Sequence, residues 1–146
     1  MPATGLDVFE RSVHKSNEWL DELMRRLGTE DRRYAYRVLR GYFQVLRDRL
    51  TVDEAAHLAA QLSPLLRGVF YEGWDPSGTP ETYRDRDTFL SRLAGAAQLA
   101  GPTEASIAAE AATDVLRSHV TEGEVDNVLH VLPSAVRQVL QPSGGT

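Results

Sequence analysis

Histidine, serine and the acidic residues are where chemistry would start in this chain. There are four histidines, His14, His57, His119 and His130. His119 stands close to Glu122, Glu124 and Asp126, and an imidazole with several carboxylates is the kind of oxygen-rich set that holds a divalent cation. A second account needs no metal: the carboxylates fall in the first turn of a helix, where negative charge complements the helix dipole. His57 and His130 are 73 residues apart, which places them on different faces of the two segments compared below. With 0 cysteines, thiolate metal sites, disulfides and a cysteine nucleophile are excluded. No phosphate-cradling glycine loop, nucleophile elbow or metalloprotease motif occurs. Ser63, before Pro64, has the local setting of a helix cap. No catalytic residue, metal ligand or cofactor is therefore assigned, and the reading leans away from an enzyme.

The remaining candidates are aromatic and cationic. Within 32–49, six arginines stand against one aspartate. Tyr36, Arg40, Phe43 and Arg47 follow at i, i+4, i+7 and i+11, a stripe along one edge of a helix. Tyr71 and Trp74 run into a turn made by Gly73, Asp75, Pro76, Gly78 and Pro80, with Tyr83 and Arg84 just beyond. Large rings of this kind seal a junction by burial, but the same residue types are enriched where proteins meet. The residues therefore fit a face for a protein partner or a second copy. They also fit a small-ligand pocket, of a sensor or an enzyme, at the junction between the two halves of the chain. A third use, an RNA or acidic-ligand strip, is weakened by the net charge of −5, since phosphate binding draws on positive excess. A helix-turn-helix over 51–70 fails as well: its second helix would be apolar, with Arg67 its one cation.

What positions these residues is a chain that repeats itself. Residues 46–70 align without a gap on 116–140 at an offset of 70, placing Thr51 on Thr121, Glu54 on Glu124, Leu62 on Leu132 and Arg67 on Arg137. Upstream, Trp19, Leu20 and Leu23 fall on Phe89, Leu90 and Leu93. Thr51 with Glu54, and Thr121 with Glu124, form capping boxes: the hydroxyl accepts a first-turn amide and the glutamate reaches back to the threonine amide. Each is worth about 1 kcal/mol to its helix. Ala55, Leu58, Ala59 and Leu62 then share one helical face, as do Val125, Val128, Leu129 and Leu132. Pro64 and Pro133 break one helix and open the next.

The periodicity predicts helices over 6–27, 30–50, 52–62 and 64–71, then 87–99, 103–119, 122–131 and 134–141, with no strand. The fold class is all-α: two tandem pseudo-repeats of about four helices each, packed as one two-lobed helical bundle. Repeat one is 1–72, a connector 73–86, repeat two 87–141, and 142–146 a frayed tail. Where the first copy has Tyr36, Arg40, Phe43 and Arg47, the second has Ser106, Glu110, Thr113 and Arg117. The aromatic stripe is thus not something the repeat requires.

Residues 46–80 resemble the core signature of a bacterial family catalogued as domain of unknown function 2267, through Tyr71, Glu72, Gly73 and Trp74 and the following Pro76 and Pro80. The resemblance covers about 9–140. It implies a small, mostly helical protein, and because family members have no established activity it implies no site. Where the family more often has Leu-Pro, this chain has Leu62, Ser63 and Pro64; Leu132 and Pro133 keep the family form.

With 146 residues, 42% hydrophobic and 25% charged, the chain reads as one globular domain or two halves sharing a core. No leader pattern and no apolar run of about 18 residues is present, so a soluble cytoplasmic protein without membrane contact is expected. The expected function is a non-catalytic interaction or self-associating module acting through the aromatic and arginine stripe and the connector.

Overall fold

The computed structural model describes residues 5–142. Among these are eight α-helices and no strand: α1 Asp7–Leu27, α2 Arg32–Arg49, α3 Val52–Ala60, α4 Pro64–Tyr71, α5 Arg86–Ala97, α6 Pro102–His119, α7 Glu122–Val131 and α8 Ser134–Leu140. A short 3-10 turn, Pro76–Gly78, lies between α4 and α5. The all-helical expectation holds. Of the tail expected at 142–146, residues 143–146 lie outside the described residues.

Helix ends follow local chemistry. Gly28 closes α1 in the left-handed region, at φ 67° and ψ 37°, and its N–H donates to the Arg25 and Met24 carbonyls. The second helix starts at Arg32 rather than residue 30 because the Asp31 side chain caps it, accepting from the Tyr34 amide at 3.1 Å. Thr51 and Thr121 cap α3 and α7 by accepting from the Glu54 and Glu124 amides at 3.1 and 3.3 Å. The reciprocal bond of a capping box is replaced at Thr121, whose amide donates instead to Gln61 Oε1 at 2.9 Å. The two glutamates are left to point elsewhere. Asp75 and Thr79, each before a proline, are extended as that position demands.

The four long helices form the centre. The first helix packs on α2, α4 and α6, while α5 packs on α2, α6 and α8. Each half thus sends a helix onto the second helix of the other, and both contribute to one buried cluster that includes Trp19, Leu23, Tyr42, Phe43, Phe70, Phe89, Leu93 and Leu116. The approach of α2 to α5 is close enough that a Cβ built on Gly41 would lie 2.9 Å from both the Ala97 Cβ and its backbone nitrogen. At the α2–α6 crossing, the buried Tyr42 hydroxyl meets Thr113 Oγ1 at 2.9 Å, and Thr113 donates on to the Ala109 carbonyl. Burial pushes the Tyr42 phenol well above its usual range.

Several positions 70 residues apart have matching surroundings. Arg32 and Pro102, Val52 and Glu122, and Pro64 and Ser134 are all helix starts. Leu46 and Leu116, Leu58 and Val128, and Leu62 and Leu132 are all buried. Arg67 donates to the Ala59 and Leu62 carbonyls, and Arg137 donates to those of Leu129 and Leu132.

Candidate functional site

The stripe on α2 runs from solvent into the core. Tyr36 is 41% exposed, whereas Phe43 is 0% and Arg47 4% exposed. Phe43 stands edge-on to Trp19 and Phe70, with centroids 5.8 and 5.5 Å away. Arg47 Nη1 donates to the Phe70 and Glu72 carbonyls at 3.0 and 2.7 Å, and its Nε to Asp48 Oδ1 at 2.8 Å. Those carbonyls end α4 and have no partner within the helix, so the guanidinium satisfies them and opposes the negative pole of the helix. Arg40 Nε binds Glu72 Oε1 at 2.8 Å; the bond raises the arginine's pKa and lowers that of the glutamate. Phe43 and Arg47 are framework, and only Tyr36 and Arg40 face outward.

The connector is strapped to the same helix. Tyr71 and Trp74 stack at 5.1 Å and are half-buried. Arg49 Nε donates to the Tyr83 carbonyl at 2.8 Å, and its guanidinium lies over the Tyr83 ring, as does that of Arg92. Arg92 also pairs with Glu81 at 3.1 Å, whose amide donates to the Asp48 carbonyl. Burial first, and then the Glu81 charge, push the Tyr83 phenol up to about 12. Trp74 Nε1 and the Tyr83 hydroxyl are buried without a hydrogen-bond partner. Arg84 is exposed.

The histidines separate. His14 and His57 are exposed beside Glu18 and Glu54, and His130 is exposed on α7. His119 stacks on Trp19 at 4.9 Å, and its Nε2 is 3.1 Å from Glu22 Oε1. Ser118 donates to the other Glu22 oxygen at 2.7 Å. A serine, a histidine and a carboxylate therefore meet, but the carboxylate stands between the other two. The imidazole does not touch the hydroxyl, so the order of a catalytic triad is absent and the arrangement ties α1 to α6. Burial, then the Lys15 charge, lower the His119 pKa against the pull of Glu22. Glu22 stays low because the hydrogen bonds from Ser118 and Arg26 and the imidazole's charge outweigh its burial. Among the described residues, no three His, Asp or Glu side chains are grouped to hold a metal ion. Glu122 and Asp126 are exposed, and Glu124 turns toward Glu54.

Two features escaped the residue-type reading. One is that meeting of glutamates, which depends on how α3 approaches α7. The other is the start of α1, where Leu6, Val8, Phe9 and Val13 are 54, 50, 52 and 40% exposed. Their spacing was visible, but an apolar helical stripe ordinarily signals core.

These features define an all-helical protein whose prominent aromatic and arginine side chains mostly fasten helices to one another. The chain belongs to the family described as an uncharacterized conserved protein (DUF2267), whose model matches residues 16–139. No curated protein matches it. The match begins at Ser16, leaving the leading nine residues of α1 outside it. Among the described residues no helix is long and apolar enough to cross a membrane.

Proposed function

We propose that this protein is a non-catalytic helical module that associates with a second copy of itself through the leading turns of α1. The observation that carries this reading is the apolar stripe Leu6, Phe9 and Val13, at i, i+3 and i+7 and each at least 40% exposed. Downstream on the same helix Ser16, Trp19 and Leu23 are buried, whereas Phe9 and Val13 are exposed. Covering it recovers about 25 cal/mol per Å², and helices carrying i, i+3 and i+7 anchors dock in this manner. Tyr36 and Arg40 supply a second outward face for a partner. The lack of cysteine supports a cytoplasmic setting. The matched helix starts, burial and arginine bonds at a spacing of 70 support descent of 1–72 and 87–141 from one duplicated segment, joined by the connector.

Light scattering behind size exclusion, at rising concentration, tests the association. The wild-type mass should climb, and Phe9→Asp with Val13→Asp should abolish the climb while leaving helicity intact. Loss in Tyr36→Ser instead would move the interface to α2. A second reading, a small-ligand pocket at the connector, is supported by the partnerless Tyr83 hydroxyl, whose ring lies against Arg92 of the open cleft formed with Asp87 and Ser91. It predicts a ligand-induced thermal stabilisation that Tyr83→Phe removes.

A further inference from the structure

We propose that Glu54 and Glu124 share a single proton across the contact between α3 and α7, making that contact a latch that holds while the proton is bound and loosens when it leaves. The two side chains stand one turn into α3 and α7, which pack on each other and are joined at their ends by Gln61 and Thr121. Glu124 is 7% exposed and the Glu54 side chain 13%. Glu54 Oε1 and Glu124 Oε2 are both buried, and neither receives a hydrogen bond from any donor. An ionised carboxylate can only accept, so two buried carboxylates leave these oxygens unsatisfied and repelling. One hydrogen, carried by Glu124 and donated to Glu54, satisfies both.

Counter-charge from the surroundings is weak. On α3, His57 Nδ1 lies 3.8 Å from Glu54 Oε2 but is itself 69% exposed. On α7, the Asn127 side chain bonds to Glu124 and favours its charged form. From α4, packed on α3, Arg67 is held by the Ala59, Ala60 and Leu62 carbonyls. From α6, packed on α7, His119 is paired with Glu22. Among the described residues, neither makes an ion pair with the two glutamates. Burial and the Glu54 carboxyl raise the Glu124 pKa to about 7. Gln61 and Thr121 join the same two elements through Nε2–H to Oγ1 at 3.1 Å and N–H to Oε1 at 2.9 Å. These bonds do not titrate, so loss of the proton slackens the contact and leaves it tethered.

The sign follows from a folded-state pKa raised above the unfolded 4.5. The contribution is full below about 4.5 and lost as pH rises through about 7, with the folding constant falling about tenfold per pH unit between them relative to Glu124→Gln. Carbon-detected NMR of the full chain should find one glutamate with a midpoint near 7. Glu54→Gln should lower that midpoint. The absence of any glutamate midpoint raised above the ordinary carboxylate range in the wild type would overturn the proposal even if neither variant folds. A high midpoint unmoved by Glu54→Gln would also overturn it, because burial alone would then hold the proton.

Discussion

His119 illustrates what a single side chain contributes. Its ring lies on Trp19 and against Glu22, tying α6 to α1, and burial and the Lys15 charge disfavour its protonation. Because the folded pKa is depressed, the associated stability is present above the ordinary histidine range and lost as pH falls through the lowered value. A proton NMR titration should therefore give His119 a midpoint below the ordinary histidine range. This is opposite in sign to Glu124. At this scale the sequence was read well where the chemistry is local: the Thr51 and Thr121 caps need only their own first turns. It was read poorly where a stripe could face either way. Tyr36, Arg40, Phe43 and Arg47 satisfy helical spacing equally as surface and as core, and only the approach of α1 and α4 to α2 buries the last two.

At the scale of elements, glycines separate packing from propensity. Gly41 sits where α2 meets α5, and an added methyl would press on the Ala97 backbone. Gly41→Ala should destabilise by about 2 kcal/mol through overpacking, although a helical glycine replaced in open space gains up to about 1 kcal/mol. Gly68, in α4 with nothing within 4 Å of a built Cβ, supplies the control: Gly68→Ala should stabilise by about 0.5 to 1 kcal/mol. Urea denaturation of the two variants measures both, and equal effects would show that the α2–α5 approach is not close. Helix breaks at Gly28, Pro64 and Pro133 were legible because proline and glycine act on their own backbone. Ends set by side-chain caps, such as Asp31, fell a residue or two from the periodicity.

For the whole molecule, the sequence showed matching segments 70 residues apart, and helix starts and buried positions coincide at that spacing. It did not show that α5 lies on α2 and α1 on α6, because such contacts join residues far apart in the chain and leave no periodic trace. Interleaving makes the junction of the halves part of the core, which shifts attention from the connector to the start of α1, which lies outside the family match.

Sedimentation equilibrium of the full chain, beside a chain beginning at Ser12, tests that assignment most directly; the shorter chain keeps the Ser12 hydroxyl that accepts the Leu65 amide. The full chain should rise with concentration from 16.2 kDa toward twice that mass, while the shorter one remains monomeric and helical. A full chain that stays monomeric throughout, or a shorter chain that associates equally well, would contradict it.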